Sequence, residues 1–384
     1  MKIWVIGREF PTEENHQRGS FELDQAKMLA GEFQTFYPAV DIHSVRHWRK
    51  WGLEKNKEGK LEIWNYNFPV GRFPKNFQRK IYWKLFAALL KKMEKEGLPD
   101  VIHVHYPAMT DYRIIEPYVS KGVRIVSTEH WSKVLKKKLT KEELDSLNWF
   151  SRYSTMICVG EKLRDSVQEL TGTDKKISVI PNIYAPYFQR KKGKPDEKKE
   201  FCFVAAGRLE KEKQFDLLIE AFSEAFRGCP QVVLRIAGAG KEYPVLKNMI
   251  MEMKMDEQIF LMGNKTNREV AWLMQNSAVL VCSSNIETFG VPVIEAMACG
   301  IPFIATENLG FRVGLSEKCG RIVHGDRESL AEAMQEIYHN YDRYDSEYIS
   351  RTAEKYFSSH TVLHQLKEVY CGKTDLVSCS DVES

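Results

Sequence analysis

The segment Ser283–Pro302 constrains this chain more than any other. It reads Ser-Ser-Asn-Ile-Glu-Thr-Phe-Gly-Val-Pro-Val-Ile-Glu-Ala-Met-Ala-Cys-Gly-Ile-Pro. An apolar run, Ala278 to Cys282, leads into it as a strand. Thr288-Phe289-Gly290-Val291-Pro292 then breaks the backbone, and a helix is predicted over 291–298. Strand, glycine turn and helix start are the parts of a phosphate site, because free backbone N–H groups at a helix N-terminus point at an anion. Two carboxylates, Glu287 and Glu295, stand eight positions apart around the turn. The first can accept hydrogen bonds from sugar hydroxyls; the second, about two helical turns along, can reach another hydroxyl pair such as a ribose.

With 384 residues, two domains are the natural expectation. Short β-rich runs alternate with amphipathic stretches in both halves. In the first half the runs are Ile3–Ile6, Val101–His105, Arg124–Ser127, Met156–Val159 and Ser178–Ile180. In the second they are Phe201–Ala205, Val232–Ile236, Ile259–Leu261, Ala278–Cys282, Phe303–Ala305 and Gly320–Val323. This alternation predicts an α/β chain of two doubly wound parallel sheets, with ligands at the carboxyl ends of the strands. Residues 1–184 form the expected first domain and 201–354 the second. A Lys- and Pro-rich linker spans 185–200, and a helix over about 355–372 returns to the first domain. The tail 373–384, rich in Ser and Asp, reads as disordered.

Net charge is +4, but residues 1–190 carry 32 Lys+Arg against 23 Asp+Glu, or +9, which leaves −5 for the remainder. The first half is therefore the part drawn to anionic surfaces. No apolar run is long enough to span a membrane, and the N-terminus enters a strand without a signal-peptide pattern. The eight cysteines are scattered, several inside strands, and read as reduced thiols of a cytoplasmic protein.

The hydroxyl–phosphate–hydroxyl pattern fits a nucleotide sugar. The segment resembles the signature of the retaining glycosyltransferases of family 4, E-x7-E followed by Ala-Met-Ala-x-Gly-x-Pro. Glu287 and Glu295 fill the acidic positions, and Ala296, Met297, Ala298, Gly300 and Pro302 the tail. The resemblance covers nearly the whole chain and is strongest from Phe201 to Val323. It implies a GT-B fold, two Rossmann-like domains facing a cleft, with the acceptor held by the first domain and the donor by the second.

Other motifs join this frame. Gly207-Arg208-Leu209 follows a strand, with Lys213 five residues after Arg208; two cations there suit a diphosphate. The family pattern assigns Arg208 and Lys213 to the donor diphosphate. Gly238-Ala239-Gly240 lacks the third glycine of a dinucleotide fingerprint and reads as a glycine turn on the nucleotide side. Gly263 ends another strand where similar enzymes touch the base. Arg18-Gly19-Ser20-Phe21 opens a helix and resembles the family's N-terminal glycine loop, with one glycine where two are usual. His103 and His105 share a strand face; a zinc pair lacks a third ligand, so His105 reads as an acceptor-side residue and His103 as buried. Glu129-His130-Trp131 ends a strand, and the resemblance gives His130 contact with the transferred sugar. Pro181-Asn182 precedes the linker, with Asn182 as hinge, ligand residue or turn former. Arg79–Lys95 is a basic amphipathic helix with an apolar stripe Ile81, Leu85, Leu89 and Met93. Together with Lys133–Lys138 it raises contact with anionic lipid and a lipid-linked acceptor.

The implied activity moves a hexose from a nucleoside diphosphate sugar to a hydroxyl of a sugar or lipid-linked acceptor with retained anomeric configuration, in cell-surface polysaccharide or glycolipid assembly. Glu287 positions the sugar, Glu295 the ribose, and Arg208, Lys213 and the N–H groups of Thr288, Phe289 and Gly290 stabilise the leaving diphosphate. No cofactor, metal or nucleic acid is called for. The rival readings are a GT-B sugar-nucleotide 2-epimerase and a non-catalytic sugar-nucleotide-binding module.

Overall fold

A computed structural model describes residues 1–8, 19–42, 51–69, 74–191 and 200–372. Arg18, the linker stretch 192–199 and the tail 373–384 lie outside the described residues. The chain forms two compact units, Met1–Ile180 and Pro181–Val362, and the helical residues from Leu363 onward join the first. The divisions thus fall at 180 and 362, where the sequence suggested 184 and 354. The return helix expected over about 355–372 is Ser359–Tyr370, separated by extended backbone at Ser358 from the preceding helix Ser346–Phe357.

The first unit holds an eight-stranded sheet among the described residues. Its strands are β1 (Lys2–Ile6), β2 (Gln34–Ile42), β3 (Gly52–Glu58), β4 (Leu61–Phe68), β5 (Val101–His105), β6 (Arg124–Glu129), β7 (Thr155–Cys158) and β8 (Ser178–Val179), in the order β3-β4-β2-β1-β5-β6-β7-β8. All neighbours are parallel except β3 and β4, an antiparallel hairpin closed by Gly59 and Lys60 with Glu58 opposite Leu61. Gly59 takes φ 62°, the left-handed value such a turn needs. Three of these strands carry no clear signal in the sequence. Pro38 interrupts β2, and is tolerated because the ladder to β1 ends at Phe36. Strand β3, Gly-Leu-Glu-Lys-Asn-Lys-Glu, is a polar, largely exposed edge strand held by its pairing, not by burial.

The helix Lys75–Glu94 buries Phe86, Leu89, Leu90 and Met93 against Trp4, Trp64 and Ile102. The stripe expected from the sequence holds in part: Leu89 and Met93 are buried, whereas Ile81 and Leu85 are only half-buried. Lys80, Lys84, Lys91 and Lys95 are exposed. No helix among the described residues is long and apolar enough to cross a membrane.

The second unit holds β9 (Phe201–Ala206), β10 (Val232–Ala237), β11 (Ile259–Gly263), β12 (Val279–Cys282), β13 (Phe303–Thr306) and β14 (Gly320–Val323). Their order is β11-β10-β9-β12-β13-β14, all parallel. The chain reverses its direction of sheet growth between β9 and β12. Loops leaving the carboxyl ends of those two strands part there, which is where such sheets hold ligands. The near-continuous apolar runs of β9, β10 and β12 reflect burial on both faces. Phe203 packs among Phe201, Phe222 and Phe226 at ring separations of 5.3–6.1 Å and is fully buried. Truncation to Ala removes most of a buried ring and is expected to cost about 3–5 kcal/mol. Denaturant unfolding of Phe203→Ala checks this; a loss below about 1 kcal/mol contradicts the packing described.

Candidate active site

The helix Val291–Ala298 begins at Gly290, whose φ is 111° and whose added Cβ would lie 2.2 Å from Leu309 Cδ1. Only glycine meets both conditions. No side chain caps this helix start, and Pro292 in its first turn removes one N–H. The helix closes with Gly300 N–H donating to the Met297 carbonyl and Ile301 N–H to that of Ala296, a Schellman end with Gly300 at φ 75°. Ala-Met-Ala-Cys-Gly-Ile-Pro is therefore a helix stop that delivers the chain into β13.

The preceding loop is clamped on two sides. Ser283 Oγ donates to the Lys213 carbonyl at 2.8 Å, and Asn285 N–H to that of Glu212 at 3.0 Å. Thr306 Oγ1 donates to the Ser284 carbonyl at 2.5 Å, and Gly310 N–H to that of Phe289 at 3.1 Å. A Cβ on Gly310 would fall 2.2 Å from the Thr288 carbonyl oxygen. Ser283, Asn285, Thr306 and Gly310 hold the loop in place, yet nothing in their local sequence distinguishes them, because their role is long-range pairing. Phe289 turns its ring into a stack with Phe311 at 4.6 Å and near Phe357, so it offers a ligand only its backbone.

These clamps bring together the loops after β9 and β12. Lys213 Nζ lies 2.6 Å from Glu287 Oε2, with the side chains 21% and 13% exposed. Burial works against the ammonium charge, but Glu287 more than offsets it, so Lys213 holds its proton above the usual lysine range. Arg208 is exposed, close enough for its charge to oppose that of Lys213. Its neighbour Leu209 anchors the turn: Leu209 N–H donates to the Ala239 carbonyl and Glu242 N–H to that of Leu209. The glycines of Gly238-Ala239-Gly240 serve this contact. A Cβ on Gly238 would meet the Gly207 carbonyl oxygen at 1.9 Å, and one on Gly240 that of Leu209 at 2.2 Å. Gly238 N–H in turn donates to the Gly263 carbonyl. Gly207, Gly238 and Gly263 thus belong to one stack of strand-end turns.

Glu295 is half-buried on the helix, without a hydrogen-bond or ion-pair partner among the described residues. Burial pushes its carboxyl up to about 8.

In the first unit, Gly19 is the left-handed N-cap of the helix Ser20–Ala30, with φ 63°. His130 follows β6 and packs on Phe21 and Tyr106 at 4.9 and 5.0 Å. His105 and His103 are both fully buried, so His105 is as enclosed as its neighbour. The buried Glu129 carboxylate accepts three backbone N–H groups, from Ala108, His130 and Trp131. Burial raises its carboxyl to about 7 in spite of them. The sequence reading passed over Glu129 as a support for the His130 turn. Asn182 is half-buried in a segment without regular secondary structure. No group of three or more His, Cys, Asp or Glu among the described residues is placed to hold a metal ion.

Two α/β units built on largely parallel sheets of this topology have the GT-B architecture. Residues 187–355 match the glycosyl transferases group 1 family, and residues 39–185 match glycosyltransferase family 4. The chain belongs to this class of GT-B, family 4-like glycosyltransferases. A probable sucrose-phosphate synthase of Thermosipho melanesiensis is 25% identical over 359 residues, covering 85% of this chain and 79% of its own. Among solved structures, a sucrose-phosphate synthase from Thermosynechococcus elongatus superimposes with a TM-score of 0.78 at 16% identity, over 97% of this chain and 98% of its own. Anabaena HepE in complex with UDP-glucose gives 0.69 at 16% identity, over 97% and 100%.

Glu295 supplies a test of the site's electrostatics. Its ordinary value is 4.5 and its folded value about 8, so between these pH values the folded protein keeps a proton that the unfolded chain has lost. This group's contribution to stability therefore falls as pH rises through that window and is level outside it. Carbon-13 NMR of the glutamate carboxyls is expected to show one midpoint near 8 that disappears in Glu295→Gln. A Glu295 midpoint near the ordinary value contradicts the assignment.

Proposed function

We propose that this protein transfers a hexose from a nucleoside diphosphate sugar to a hydroxyl acceptor with retention of anomeric configuration. One observation carries the reading: the Lys213–Glu287 pair stands beside the uncapped start of the helix Val291–Ala298. Cation and amides together suit a diphosphate, while the carboxylate suits the hydroxyls of the attached sugar. On departure of the diphosphate, the bond from the anomeric carbon to phosphate oxygen breaks and the acceptor oxygen bonds the same face. The acceptor proton passes to an oxygen of the leaving phosphate, so the protein needs no general base of its own. Charge growing on that phosphate meets Lys213, Arg208 and the N–H groups of Thr288, Phe289 and Gly290. Glu287 orients the hexose, Glu295 holds the ribose hydroxyls, and His130 is assigned a contact with the transferred sugar. The Anabaena neighbour was solved in complex with UDP-glucose, which supports this class of donor.

The acceptor is assigned to the first unit. A groove of about 710 Å³ opens there between the helices Lys75–Glu94 and Lys141–Tyr153, lined in part by Lys80, Trp83, Lys84 and Tyr112. Both helices precede parallel strands, so their N-terminal turns lie at the carboxyl edge of the sheet. The groove's aromatic rings stand among lysines and the acids Asp111, Glu142 and Asp145, a mixed lining that suits the ring faces and hydroxyls of a glycan.

Three variants test the reading with a panel of sugar nucleotides. Lys213→Ala is expected to lower kcat by about 10²–10³-fold through loss of charge stabilisation at the leaving group. Glu287→Ala is expected to abolish transfer, whereas Glu295→Ala raises the donor Kd with a smaller effect on kcat. Full activity without Glu287 ends the assignment. A productive donor at 100 times its Kd should also stabilise the fold by about 2.7 kcal/mol, readable as a thermal shift.

A further inference from the structure

His130 rests on a buried column of rings in the first unit. Tyr370, on the helix Ser359–Tyr370, bonds through its hydroxyl to His103 Nδ1 at 2.6 Å, and His103 Nε2 meets Thr128 Oγ1 at 2.7 Å. His103 stacks on His105 at 4.5 Å, and His105 on His130 at 5.1 Å. His105 Nδ1 and His130 Nε2 share one hydrogen bond of 2.9 Å. Each ring has one nitrogen left, His105 Nε2 and His130 Nδ1, buried and without a partner among the described residues.

The proton positions follow from which groups can be satisfied. Burial holds all three imidazoles neutral, and at His130 the neighbouring histidines and Arg8 act in the same direction. A phenol is a stronger donor than an aliphatic hydroxyl, so Tyr370 donates to His103 Nδ1 and His103 Nε2–H donates to Thr128. The shared bond needs one donor and one acceptor. If His130 donated, the proton of His105 would sit on Nε2, an orphan N–H in the more enclosed ring, 1% exposed. If His105 donates from Nδ1, the remaining N–H belongs to His130, the less enclosed ring at 6% exposed.

We infer that His105 is a positioning residue: its Nδ1–H fixes His130 in the Nδ1–H tautomer, making His130 a hydrogen-bond donor to a sugar oxygen. Tyr370 and His103 hold the stack from below, which ties the last helix to the orientation of a site residue. The inference rests on the proposed contact between His130 and the transferred sugar. It adds that this contact is a donation from Nδ1 and that His105 sets it.

The test uses the 384-residue chain. Histidine nitrogen-15 spectra near neutral pH, with the His130 signals assigned through His130→Gln, are expected to show His130 protonated on Nδ1. His105→Phe keeps a stacked ring without nitrogens and should lose that single tautomer. His105→Asn returns an N–H near the place of Nδ1 and should restore it. In transfer assays His105→Phe is expected to lower kcat about tenfold, the scale of one neutral hydrogen bond, with the Kd for the nucleoside diphosphate unchanged. His105→Asn should recover to within about threefold of the parent. Protonation of His130 on Nε2, an unchanged tautomer in His105→Phe, or equal kcat in the Phe and Asn variants overturns the inference. A His130→Ala enzyme at full rate overturns the sugar contact instead, and the spectra still decide whether His105 sets the ring.

Discussion

The ion pair between Lys213 and Glu287 is the interaction on which the second unit's site depends. A carboxylate and an ammonium this far withdrawn from water are costly singly, and each supplies what the other lacks. They come from loops distant in sequence that leave β9 and β12, the neighbours between which the sheet changes direction. Parallel pairing of Val279 with Phe203 and Leu280 with Val204 sets how far along each strand the two loops depart. The bonds from Ser283 and Asn285 to the turn at 212–213 then fix the loops to one another. The sheet register thus reaches the chemistry through three short contacts. Under the proposed function, the same pair would let an acid stand in a diphosphate site, because its charge is already matched by Lys213.

Glycine carries the second constraint. Gly238, Gly240, Gly290 and Gly310 each lie where a Cβ would meet backbone or a core side chain at 2.2 Å or less. They let the strand-end turns lie against each other. The Gly238–Gly240 pair looks like a ligand loop in sequence, and the structure gives it a packing duty first.

The second unit was legible in the sequence almost strand by strand. Its inner strands are doubly buried, so apolar runs such as Val232–Ile236 and Ala278–Cys282 announce themselves, and glycine turns punctuate them. The first unit was less legible at its edge. Strands β3 and β4 draw order from a hairpin, and β2 contains a proline that periodicity counts against a strand. The apolar stripe of Lys75–Glu94 is broader than expected: Leu89 and Met93 are buried with Leu85 packed beside them, and Phe86 and Leu90 join the same core. Motif residues such as Glu287, Glu295 and Lys213 were visible as chemistry at a recognisable spacing. Ser283, Thr306, Gly310, Glu129 and Tyr370 were not, since each acts on a segment far away in the chain. Which ligand atoms the visible residues touch is a matter for the proposed function.

One measurement bears most directly on the division of labour within the pair. Calorimetric titration of a productive nucleoside diphosphate sugar and of its nucleoside diphosphate into the parent protein, Lys213→Ala and Glu287→Ala separates phosphate recognition from sugar recognition. The account predicts that Lys213→Ala weakens both ligands, whereas Glu287→Ala weakens the sugar nucleotide and leaves the diphosphate unchanged or tighter. Equal weakening of the two ligands by Glu287→Ala would contradict it, since the carboxylate would then serve the phosphate end and not the sugar.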